Sequence, residues 1–174
     1  MSDIRLAGVV CGLVAACVVV SSARSQELSG DAAAITQFQR SVDAYTFQHR
    51  QVQRRLGEGA DQSLMAAGLH AARPSAADGD FFTPMVAAAF RNRIAVALKA
   101  PDCKISASGT LSSEVPRVGA LTINTEPVPA CVLTVLPHLP EELEYRTASV
   151  VLILVDTHAN MAVDVLHGAL PAPQ

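Results

Sequence analysis

The sequence predicts an α+β fold: two main N-terminal helices plus a shorter one, then a small antiparallel β-meander with one disulfide. Three observations carry this expectation. Apolar residues between positions 35 and 56 recur at alternating spacings of three and four, the period of one helix face. Prolines at 116, 127, 129, 137 and 140 forbid a long helix through the middle of the chain. Beyond them, alternating segments and a six-residue apolar run at 150–155 flank a turn-forming stretch, the pattern of paired strands.

Composition sets the outer bounds. The chain has 174 residues, of which 50% are hydrophobic and 17% charged, so it lacks the polar, highly charged character of a disordered protein. Its length suits one folded domain. A net charge of -3 argues against a nucleic-acid binder, which needs a clustered basic face. The charge is uneven: residues 26–104 carry nine basic and eight acidic side chains, residues 105–174 two and seven.

The first 25 residues read as a secretory signal. Arg5 supplies a positive start, and Leu6–Val20 is an apolar run too short for a membrane span of about 20 residues. Ala23 and Ser25 fit a signal-peptidase site, giving a mature start at Gln26. A competing reading takes Val14-Ala15-Ala16-Cys17 as a lipobox, with Cys17 as a lipid anchor, and a third keeps the segment as a membrane anchor. The mature chain would hold Cys103 and Cys131, which in an oxidising compartment suggest one disulfide; two unpaired thiols are the alternative. The expected location is periplasmic or secreted, with 26–174 forming one domain: a helical part over 26–100 and an extended part over 101–174.

The first helix rests on Ile35, Phe38, Val42, Tyr45, His49, Val52 and Leu56. Ser29 or Asp31 can cap its start and Gly57 can end it. Arg50, Arg54 and Arg55 lie where the helix dipole favours cations. Gln62–Ala72 predicts a short helix with Leu64, Met65, Leu69 and Ala72 on one side. Thr83-Pro84 opens another, with Val86, Phe90, Ile94, Ala97 and Leu98 inward and Pro101 as its stop. Leu121–Ile123 and Cys131–Leu136 read as short strands. Leu143–Thr147 and the run Val150–Val155 follow as strands, the second long enough to be buried on both faces. Asp156–Asn160 supplies a turn, and Met161, Val163 and Val165 alternate with Ala162, Asp164 and Leu166 on the returning strand.

Chemistry-bearing residues concentrate there. Asp156, His158 and Asp164 are candidate metal ligands or acid–base groups, with Asn160 and His167 nearby. The plainer alternative has Asp156 and Asn160 shaping the turn and His158 exposed at its tip. Asp164, a carboxylate within an apolar strand, should face water or pair with Arg146, a site role being the third option. On the first helix, Tyr45, His49, Arg50 and Arg54 are candidate interaction residues; His49 reads first as a satisfied core histidine, and the arginines as a solvated helix end. No G-x-S-x-G, P-loop, G-x-G-x-x-G, H-E-x-x-H, C-x-x-C or C-x-x-C-H motif occurs, so no cofactor is implied.

The segment FFTPMVAAAFRNRIAVAL at 81–98, then ELEYR and LILVDTHANMAVDVLHGALP, resembles an uncharacterised group of exported bacterial proteins, most closely in VDTHANMAVDVL. The resemblance implies export, a helical front and a closing hairpin, and no activity. The leading expectation is a non-catalytic exported envelope protein that binds or assembles with a protein partner, without a transmembrane span in its mature part. The alternatives are a small hydrolase or metal-binding protein using Asp156, His158 and Asp164, and a binder of a small apolar ligand between helices and sheet.

Overall fold

The computed structural model describes residues 14–57, 59–103, 116–122 and 125–171, with side chains of the first helix from Ser29 onward. Residues 1–13 of the expected leader, including Cys11, lie outside the described residues, as do the side chain of Cys17 and the residue Ile123.

Three helices lead the fold: α1 (Val14–Leu56), α2 (Gln62–Ala72) and α3 (Pro84–Ala97). The expected start of α1 at Ser29 or Asp31 is corrected, because the helix runs unbroken through both. No proline interrupts 14–56, and Asp31 is committed elsewhere: its carboxylate takes a two-pronged bond from Arg93 of α3, at 3.1 and 2.6 Å. Gly57 ends α1 at φ 88, where its N–H donates to the Gln53 carbonyl, a left-handed terminus that glycine adopts without strain. Asp61 caps α2 through Leu64 N–H. Met65 and Leu69 turn inward as expected, but Leu64 is 52% exposed, since α2 buries only a narrow stripe. Gly68 lets α2 approach α1: a Cβ there would lie 2.6 Å from Val52 Cγ1. Pro84 opens α3, whose Val86, Phe90, Ile94 and Ala97 are buried.

The second half forms a four-stranded antiparallel sheet in the order β1 (Glu126–Pro127), β2 (Leu143–Ala148), β3 (Val151–Asp156), β4 (Met161–Leu166). Cys131–Leu136 is not a strand. Pro129, at φ -53 and ψ 138, stands just before a single helical turn, Ala130–Leu133, α4. Cys131 on that turn is disulfide-bonded to Cys103 beyond α3, with Cα atoms 5.5 Å apart. Closing this 28-residue span contributes about 3.5 kcal/mol through loop entropy. Leu121 forms a single bridge to Met161 rather than a strand, while Gly119 and Thr122 donate to the carbonyls of Ala162 and Asn160 and cover the edge of β4.

Every residue of β3 and β4 is buried. One sheet face packs on α1 and α3 through Leu143, Tyr145, Leu152, Leu154, Met161 and Leu166. Phe38, Phe82, Phe90 and Tyr145 interlock there, with Phe38 and Phe90 centroids 4.8 Å apart. The other face gathers Val151, Ile153, Val155, Ala162 and Val165.

Candidate functional site

A β-bulge decides where the acidic residues of the hairpin point. Val155 pairs with Ala162, but Leu154 pairs with Asp164, so β4 carries one extra residue at that step. Strict alternation would put Asp164 beside Ala162, on the face away from the helices. The inserted residue flips the register, and Asp164 lands with Leu154 on the helix side, fully buried. Both favoured expectations for Asp164, water and Arg146, are thereby overturned. Arg146 bonds Glu144 at 2.7 Å instead.

The buried carboxylate of Asp164 is satisfied by backbone. Oδ1 accepts from Gly79 N–H and Val165 N–H, both at 2.8 Å; Oδ2 accepts from Phe81 and Phe82 N–H, both at 2.7 Å. Four amide donors replace the water the charge has lost, and three of them come from the loop that leads into α3. Asp164 therefore ties the α2–α3 loop to the sheet.

Asp156, at the other end of the hairpin, has a different set of partners. Oδ1 accepts from the N–H groups of His158 and Ala159, at 2.9 and 2.7 Å, and so builds the β3–β4 turn. Oδ2 accepts from the Tyr45 hydroxyl at 2.7 Å and lies 3.4 Å from His49 Nε2, both on α1. Burial, then the charge and hydrogen bond of Asp156, push the Tyr45 phenol far above its ordinary value. Arg73, at the end of α2, lies over the Tyr45 ring at 5.2 Å and the Phe81 ring at 5.4 Å, and binds Asp80 at 2.9 Å, joining the two acidic stations.

His49 is 0% exposed, and neither ring nitrogen has a hydrogen-bond partner among the described residues. Its ring sits 5.0 Å, centroid to centroid, from that of His158, which is exposed on the turn. Burial above all holds His49 below the ordinary histidine value. Asp156 and Glu142 work to raise it, and His158 and Arg50 to lower it. Arg50 pairs with Glu142 at 2.6 Å; burial works to raise the Glu142 carboxyl, but that bond helps hold it below its usual value.

The sequence thus placed Asp156 and His158 correctly at the turn, but Asp164 does not join them. Among the described residues no three His, Cys, Asp or Glu side chains are grouped to hold a metal ion. Tyr45 and His49, named from the sequence as candidate interaction residues, are both buried. The stripe spacing pointed that way; Gly79, Phe81 and Glu142 carried no local signal. Arg50 and Arg54 are exposed.

The outer face of α1 bears a groove of about 410 Å³ against α2, lined by Phe47, Gln48, Gln51, Val52, Arg55 and Ala72. Phe47 is 64% exposed at this groove. Gln48 fixes its wall by donating to the Ala72 carbonyl at 2.7 Å. A second hollow, about 420 Å³, lies beside β2 and α4 among Val128, Leu133, Pro137, Leu139 and Tyr145 rather than between helices and sheet. No protein-family model, curated protein or solved structure matches the chain.

Proposed function

We propose that the chain is a non-catalytic exported protein of the bacterial cell envelope that binds a protein partner along the α1–α2 groove. The observation that carries this reading is Phe47, a large aromatic left 64% exposed beside an apolar-walled groove. Arg54 and Arg55 are exposed beside it, and the helical half holds most of the basic residues. A partner segment with apolar anchors and acidic flanks complements that surface. Export is supported by the leader-like residues 1–25 and the Cys103–Cys131 disulfide. Among the described residues no helix is long and apolar enough to cross a membrane. Cleavage before Gln26 gives a periplasmic or secreted domain; processing at Cys17 would tether the same domain by lipid, and the mass of the mature chain distinguishes them.

A photo-crosslinking residue at position 47, in cells of the source organism, tests the binding surface. The expected result is one discrete adduct that Arg55→Glu abolishes and that the same probe at Thr134 does not give. No adduct from position 47, or one indifferent to Arg55→Glu, overturns the reading.

A further inference from the structure

Of the five histidines, four are exposed and His49 alone is buried. It is buried where α1 meets the β3–β4 turn, and among the described residues neither ring nitrogen has a hydrogen-bond partner, the nearest polar group being Asp156 Oδ2 at 3.4 Å from Nε2. We propose that this contact is an acid-released latch: a neutral His49 keeps the turn on α1, and protonation of His49 favours a state in which the turn carrying His158 lifts away.

The charges around His49 come from every packed element. Tyr45 and Arg50 stand on α1, Asp156 on β3, His158 on the turn, and Glu142 ahead of β2, while Arg73 lies over the Tyr45 ring. Asp156 would welcome a cation, but its oxygens are already engaged by Tyr45 and two turn amides. His49 Nε2 stands 3.4 Å off without hydrogen-bond geometry. Loss of water therefore outweighs the attraction, and Arg50 and a protonated His158 add repulsion. His158 is the exposed residue of the four-residue turn and Ala159 beside it is fully buried, so lifting the turn rehydrates the imidazole and uncovers Ala159 with it. A closed state that prefers the neutral ring and an open state that prefers the charged one are linked, and lowering the pH shifts the population toward the open state.

The latch does not depend on the binding reading. Amide hydrogen exchange of the full chain tests it at pH 7.5 and pH 5.0, after correction for intrinsic rates. Protection at His158 and Ala159 should fall by about fivefold or more, the lower range of coupling between two states. Gly79, Phe81 and Phe82, held by Asp164, should keep theirs. His49→Gln should remove the acid response. His158→Gln, an exposed replacement, should move its onset to lower pH, and remains informative if His49→Gln does not fold. Protection at the turn that ignores pH, an equal loss at residues 79–82, a full response in His49→Gln, or an unmoved onset in His158→Gln each overturns the proposal.

Discussion

The two ends of the β3–β4 hairpin each bury an aspartate, and the difference lies in who answers the charge. Asp164 is answered by four backbone amides, which neither titrate nor leave. Asp156 is answered on one oxygen by amides and on the other by Tyr45, with His49 close by. The first arrangement is a fixed anchor; the second depends on the protonation of its neighbour. One hairpin of the same sheet thus carries one carboxylate held by backbone amides alone and one that also faces titratable side chains.

Asp164→Ala should have the largest effect. It leaves the buried amides of Phe81 and Phe82 and the part-buried amide of Gly79 without an acceptor, and the expected loss of stability in urea unfolding is about 3–5 kcal/mol, the sum of several donors left unsatisfied at about 1–3 kcal/mol each. A loss below about 1 kcal/mol would remove the anchor from the comparison. Asp156→Asn should cost less, about 2 kcal/mol, because the amide oxygen can still receive the turn N–H groups while the Tyr45 and His49 side is weakened. If the two substitutions cost the same, the two stations do not differ in kind.

Helix and strand identity was legible wherever a repeating pattern met a boundary residue. The α1 stripe with Gly57, the Thr83-Pro84 start of α3 and the Asp156–Asn160 turn follow from local rules. The bulge did not, and it reverses the reading of Asp164, because one inserted residue changes the face of a side chain without changing composition. The Gly79–Phe82 amides were equally hidden: they bind a carboxylate more than 80 residues away, and backbone donors leave no trace in residue type. Cys131–Leu136 misled for a related reason, its β-prone Val and Leu being overruled by Pro129 and one helical turn.

A smaller effect should come from pH. His49 is held below its ordinary value of 6.5, so the unfolded chain takes up this proton first as pH falls. Its contribution to stability is complete above that value and declines below it. Asp31 and Glu142 are held below their ordinary values of 3.8 and 4.5, so their contributions are lost only in stronger acid. Urea unfolding between pH 7.5 and pH 5.0 should show a loss in the native chain that His49→Gln reduces and Phe47→Ser leaves alone. The smallest change belongs to Phe47→Ser itself, within about 0.5 kcal/mol of native stability, as for an exposed residue. A larger loss would make Phe47 part of the packing rather than a free contact surface.

The most direct test of the difference between the stations is the titration of the His49 ring, followed by nuclear magnetic resonance of the full chain labelled at histidine Cε1 and assigned by its absence in His49→Gln. The expected result is a midpoint below 6.5, accompanied by a shift of the His158 resonance and none at the Gly79, Phe81 and Phe82 amides. A midpoint at or above that value would mean that Asp156 holds His49 as a cation, and would contradict the account.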